Sequence, residues 1–118
     1  MELKEYQERA MTTCMPSSNN FSYMFLNLVG EVGEFASKVA KAIRKEENCI
    51  EYNDLEVTVT NNVELQKEAG DILWQLSGLC TVMGWSLEDI AQQNLDKLAA
   101  RKAVGTIDGN GDGIIRGK

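Results

Sequence analysis

The 118-residue sequence contains no histidine. That absence removes Ser-His-Asp and Cys-His nucleophilic sites, and with them the Glu-x-x-His pairs on which ferritin-like di-iron bundles depend. Any chemistry must run on carboxylates, amines and hydroxyls. Cysteine is sparse: Cys14, Cys49 and Cys80 are odd in number, far apart and without a Cys-x-x-Cys spacing. This argues against a disulfide framework or a zinc site and for reduced thiols. No apolar run approaches the roughly 18 residues that span a bilayer. The opening MELKEYQERAM has neither the apolar centre nor the cleavage site of a signal peptide, so a cytoplasmic protein is expected. Basic residues are the minority, 12 Lys and Arg against 18 Asp and Glu for a net charge of -6. Neither a nucleic-acid polymer nor an anionic membrane is therefore an expected partner. A phosphate-bearing ligand would have to arrive with a cation.

Proline occurs once, at Pro16, which leaves room for long helices. A first helix is expected over residues 2 to 14, ended by Pro16 and the polar run Ser17-Ser18-Asn19-Asn20. A second begins near Phe21, where Phe25, Leu28, Val32, Phe35, Val39 and Ile43 recur at helical spacing as far as Glu46. The segment 47–60 breaks that pattern, and the alternation of Leu55, Val57 and Val59 fits a short strand. Asn61 with Glu64 offers a capping box for a third helix carrying Leu65, Ala69, Ile72, Leu76, Leu79 and Met83 on one face, closed by Gly84. Ser86 with Asp89 caps a fourth, which Gly105 ends. The expected fold is all-α: a bundle of four main helices over residues 1–107, with a short β segment in the 47–60 connection and a glycine-rich tail over 108–118. A chain of this size gains from self-association, so a homo-oligomer, dimer or tetramer, is expected. DGNGDG at 108–113 imitates the start of an EF-hand loop, but the glutamate required at the twelfth position would fall beyond Lys118.

The stretch GEVGEF, residues 30–35, sets two glycines and two glutamates inside an amphipathic helix, although each interior glycine costs roughly 1 kcal/mol relative to alanine. The next long helix repeats it: Glu31-Val32-Gly33-Glu34-Phe35 is echoed by Glu68-Ala69-Gly70-Asp71-Ile72. Each acid pair lies at the edge of its helix's apolar stripe, so antiparallel packing brings the four carboxylates Glu31, Glu34, Glu68 and Asp71 together, with Gly33 and Gly70 removing side chains beside them. Converging carboxylates repel unless neutralised, and hard oxygen donors suit Mg²⁺ or Mn²⁺. A single Glu-x-x-Glu is ordinarily a solvated helix face; the repeat, the glycines and the core-edge placement favour a metal site here.

Glu31-x-x-Glu34 followed on the next helix by Glu68-x-x-Asp71 resembles the all-α nucleoside triphosphate pyrophosphohydrolases of the MazG type. EYQERAM in the first helix, GDILWQL after the second acid pair and NLDKLAARKAVGTIDGNGD near the end extend the resemblance over nearly the whole chain. It implies Mg²⁺-dependent cleavage of a (deoxy)nucleoside triphosphate between the α and β phosphates, giving the monophosphate and pyrophosphate, in nucleotide-pool house-cleaning. It also implies that Glu31, Glu34, Glu68 and Asp71 hold the metal and form the catalytic site. The connection carrying LEVTVTNN is longer than usual for the family, so no substrate contact is carried over from it.

Lys38 lies one turn after Glu34 and is either a phosphate contact or an ordinary Glu-Lys surface pair. Asn94, Lys97 and Arg101 share a face of the fourth helix; the resemblance favours Asn94 and Lys97 as triphosphate contacts, against a solvated basic face. Among the aromatic residues and methionine that would form a base-stacking wall (Trp74, Trp85, Phe21, Tyr23 and Met24), Trp74 points away from its helix's stripe and fits a base pocket or a subunit contact. Two rival functions are a phosphoribosyl-ATP pyrophosphohydrolase using the same acids, and a non-enzymatic helical module whose acids bind a structural cation.

Overall fold

Four helices are present among the described residues, the first shorter than expected: it ends at Met11, before the polar run that follows Pro16. In the computed structural model, residues 1–44, 50–53, 56–59 and 63–105 are described, the two short stretches as backbone alone. The order is α1 (Leu3–Met11), a single 3-10 turn (Pro16–Ser18), α2 (Phe21–Arg44), β1 (Ile50–Asn53), β2 (Glu56–Val59), α3 (Val63–Met83) and α4 (Leu87–Ala103). Asn20 caps α2, its Oδ1 accepting from the Tyr23 N–H at 2.8 Å. Ser86 caps α4, its Oγ accepting from the Asp89 N–H at 3.2 Å. Gly84 and Gly105 close α3 and α4 at φ 76° and 78°, a conformation other residues adopt at a cost.

The fold is an all-α bundle carrying one small hairpin. Where the sequence suggested a single strand, β1 and β2 pair antiparallel in the register Ile50 with Val59 through Asn53 with Glu56. The Asn61 capping box, Cys49 and the tail from residue 106 lie outside the described residues. No described helix is long and apolar enough to cross a membrane.

Helices α2 and α3 form the main packed pair. Their contacts run from Met24 against Gly78, through Glu31 beside Glu68 and Asp71, to Lys38 against Glu64, so the two helices are antiparallel. A Cβ on Gly78 would fall 2.6 Å from the Met24 Cε, and the glycine therefore lets Met24 bury completely. Helix α1 lies across α3 and α4. Its Gln7 fastens the α3–α4 corner: Nε2 donates to the Thr81 Oγ1 and the Trp85 carbonyl, while Oε1 accepts from the Leu87 N–H.

The buried line of α2 is rotated from the stripe expected on sequence. It runs Met24, Leu28, Glu31, Phe35, Lys38 and Ala42, with Met24 and Ala42 fully enclosed and the others half-buried. Phe25 and Val32, expected in the core, are 45% and 49% exposed, and Ile43 is exposed with them. The apolar arc of α2 is too wide for one partner: α3 covers one flank, and Phe21, Phe25, Val29 and Val32 remain on the other. On α3 the expected Leu65 is buried and Ile72, Leu76 and Leu79 are half-buried, whereas Ala69 and Met83 are exposed.

Candidate metal and active site

Glu31 enters the α2–α3 seam because it lies on the buried line of α2, two turns from Met24 and from Lys38. Glu68 and Asp71 face it from α3. One carboxylate oxygen from each of Glu31, Glu68 and Asp71 lies within 4.8 Å of the others. Glu68 is only 9% exposed, Glu31 is half-buried, and Asp71 opens to solvent. The group therefore has a closed base and an open mouth. Burial first, then the charges of Asp71, Glu68 and Glu34, push the Glu31 carboxyl above its ordinary range. Like charges held this close, all hard oxygen donors, have the chemistry of a Mg²⁺ or Mn²⁺ site.

Glu34, the fourth acid expected, is not in that group. It sits on the exposed side of α2 one turn beyond Glu31, near enough for its charge to act there. Lys38 does not make the local pair with Glu34. Its Nζ lies 2.8 Å from Glu68 Oε2 and 3.7 Å from Glu64 Oε1, across the helix interface. The hydrogen bond to Glu68 is the main influence raising the Lys38 ammonium above its ordinary pKa, so Lys38 remains a cation throughout the physiological range.

Trp74 is half-buried and tied to α1, its Nε1–H donating to the Ala10 carbonyl and the Thr13 Oγ1, both at 3.1 Å. Tyr6 lies beside these residues on α1, and sequence reasoning passed it over. Burial first and then the charge of Asp71 raise its phenol above its ordinary pKa. A cavity of 620 Å³ adjoins it, lined by Met1, Tyr6, Arg9, Ala10 and Thr12. The only early signal was helical spacing: Tyr6, Ala10 and Thr13 share a face of the N-terminal segment.

On α4, Asn94 and Lys97 are exposed and Arg101 is buried. Of the aromatic residues, Phe21 stacks on Phe25 with ring centroids 5.7 Å apart, and Trp85 is exposed. Met24 is consumed by core packing. Gln75, one turn past Asp71 on α3, is buried with its Oε1 lacking a hydrogen-bond partner among the described residues. Burial raises the Cys80 thiol, as expected of a structural cysteine.

A family model for the MazG nucleotide pyrophosphohydrolase domain matches residues 19–105, a span that contains all four acids. The Gene 37 protein of Mycobacterium phage L5 is 38% identical over 96 residues, which make up 81% of this chain and 78% of that relative. No solved structure gives a significant match.

Proposed function

The chain belongs to the MazG nucleotide pyrophosphohydrolase family, and on that premise we propose that it hydrolyses (deoxy)nucleoside triphosphates to the monophosphate and pyrophosphate with Mg²⁺ or Mn²⁺ as cofactor. The observation that carries this reading is the closure of Glu31, Glu68 and Asp71 to within 4.8 Å at the α2–α3 seam. The donor set fits a hard divalent cation, with Glu34 one turn away to complete it once a triphosphate is present. When bound, Mg²⁺ neutralises the triphosphate and acidifies the attacking water.

The residues of this chain do the placing. Buried Glu68 fixes the floor of the site, and exposed Asp71 and Glu34 face the side from which the phosphates enter. Water attacks the α phosphorus and gives up a proton to solvent, the bond from that phosphorus to the α–β bridging oxygen breaks, and pyrophosphate leaves with that oxygen and its negative charge. The open depression beside Tyr6 on α1 is the proposed place for the nucleoside, with Trp74 fixing α1 against α3 through the Ala10 carbonyl. Asn94 and Lys97 on α4, with Lys38, are the proposed phosphate contacts; Arg101, on the same face of α4, is buried at its end.

The open apolar flank of α2 supports a homo-oligomer built on that helix, because Phe21, Phe25, Val29 and Val32 form one exposed surface. The setting proposed is the cytoplasm, acting on the nucleotide pool.

The test is pyrophosphate release from a panel of dNTPs, NTPs and phosphoribosyl-ATP, with and without Mg²⁺, comparing wild type with Glu68→Gln. Monophosphate and pyrophosphate are expected only with metal and only from wild type. Turnover confined to phosphoribosyl-ATP would replace the substrate assignment, and no turnover by folded wild type would end the catalytic reading.

A further inference from the structure

Glu68 stands between two opposed environments. On one side are the carboxylates of Glu31 and Asp71; on the other is the ammonium of Lys38, 2.8 Å from Oε2 and also within reach of Glu64. Helical arithmetic explains the geometry. Glu64, Glu68 and Asp71 occupy i, i+4 and i+7 on α3, while Glu31 and Lys38 are seven residues apart on α2, so the antiparallel pair lines up an acid row with a cation at its end. Glu68 is nearly closed off from solvent, so its end of this pair is less screened than that of an exposed one.

We propose that Lys38 is a tethered counter-ion that competes with the divalent cation for Glu68, holding that carboxylate oriented before metal arrives at the expense of metal affinity. The inference rests on the metal-site reading above. A divalent cation seated among Glu31, Glu68 and Asp71 meets a like charge a few ångströms away. Binding therefore either parts Lys38 from Glu68 or proceeds against its repulsion. An ammonium displaced in this way is released to pair with an incoming phosphate.

The sign of one measurement decides the matter. Mn²⁺ and Mg²⁺ affinities are measured by isothermal titration for wild type, Lys38→Met, Lys38→Gln and Lys38→Arg, with far-UV circular dichroism to confirm helix content. The neutral variants are expected to bind metal about tenfold more tightly, the scale of removing one like charge near a divalent ion, while Lys38→Arg stays near wild type. Using two neutral variants keeps the test decisive if one fails to fold. Equal or weaker binding by the folded neutral variant overturns the proposal and makes Lys38 a support for Glu68. Wild type that binds no divalent cation overturns the metal-site reading itself and this inference with it, whereas wild-type binding without the tightening sinks this inference alone.

Discussion

The two acid pairs look interchangeable in sequence, yet the fold treats them differently. On α3 both members reach the site: Glu68 as a buried floor with its own cation, Asp71 as an exposed rim. On α2 only Glu31 lies on the buried line, and Glu34 stands outside the group in solvent. Acids three residues apart on a helix are roughly 60° apart around its axis, so a seam that admits one of them closely need not admit the other. The α3 pair straddles the seam and the α2 pair overhangs it. A repeated motif thus specifies which side chains are available, while the rotation of each helix about its axis specifies which of them meet.

This asymmetry gives the mutations an order. Glu68→Gln should have the largest effect, a loss of turnover on the order of 100-fold or more, because it removes a metal oxygen and strands Lys38 beside a neutral amide. Steady-state pyrophosphate release measures it, and metal titration should show the matching loss of affinity. Next comes the packing that sets the rotation. Gly78→Val pushes a branched side chain into the fully buried Met24 and should cost about 2 kcal/mol in urea denaturation by overpacking. Glu34→Gln should be milder than Glu68→Gln, about tenfold in turnover with metal affinity in the absence of nucleotide nearly unchanged, since Glu34 lies outside the group. Equal losses for Glu34→Gln and Glu68→Gln would show that the two pairs become equivalent once substrate binds, and the asymmetry would then belong to the free protein alone.

The sequence made the helices legible because their ends carry local chemistry: Ser86 caps, and Gly84 and Gly105 terminate, each acting within a few residues. The acids were legible because a costly pattern appears twice. Features created by one helix meeting another were not. The apolar arc of α2 is wide enough to suit two partners, so periodicity alone placed its centre near Val32 when the buried line passes through Glu31. Lys38 has Glu34 one turn away on its own helix, and only the approach of α3 shows that Glu68 and Glu64 take it instead. Trp74 likewise reads as an outward residue on α3 until α1 lies across it and accepts its N–H.

The smallest expected effect concerns the glycines inside the two acid motifs. A Cβ on Gly33 or Gly70 would meet nothing within 4 Å among the described residues, unlike one on Gly78, so packing against those residues requires neither glycine. Gly33→Ala and Gly70→Ala should therefore each stabilise the fold, by about 0.5 to 1 kcal/mol, because alanine is the better helix former and restricts the unfolded chain. Urea denaturation reads that gain, and KM read in parallel shows what the sequence obtains for tolerating the glycines. A rise in stability accompanied by a raised KM would mean that substrate or a second copy of the chain approaches the backbone at these turns, where a methyl group obstructs it. A rise in stability at one glycine with KM unchanged would confine that approach to the other acid pair, extending the inequality of the two motifs from their carboxylates to the backbone between them.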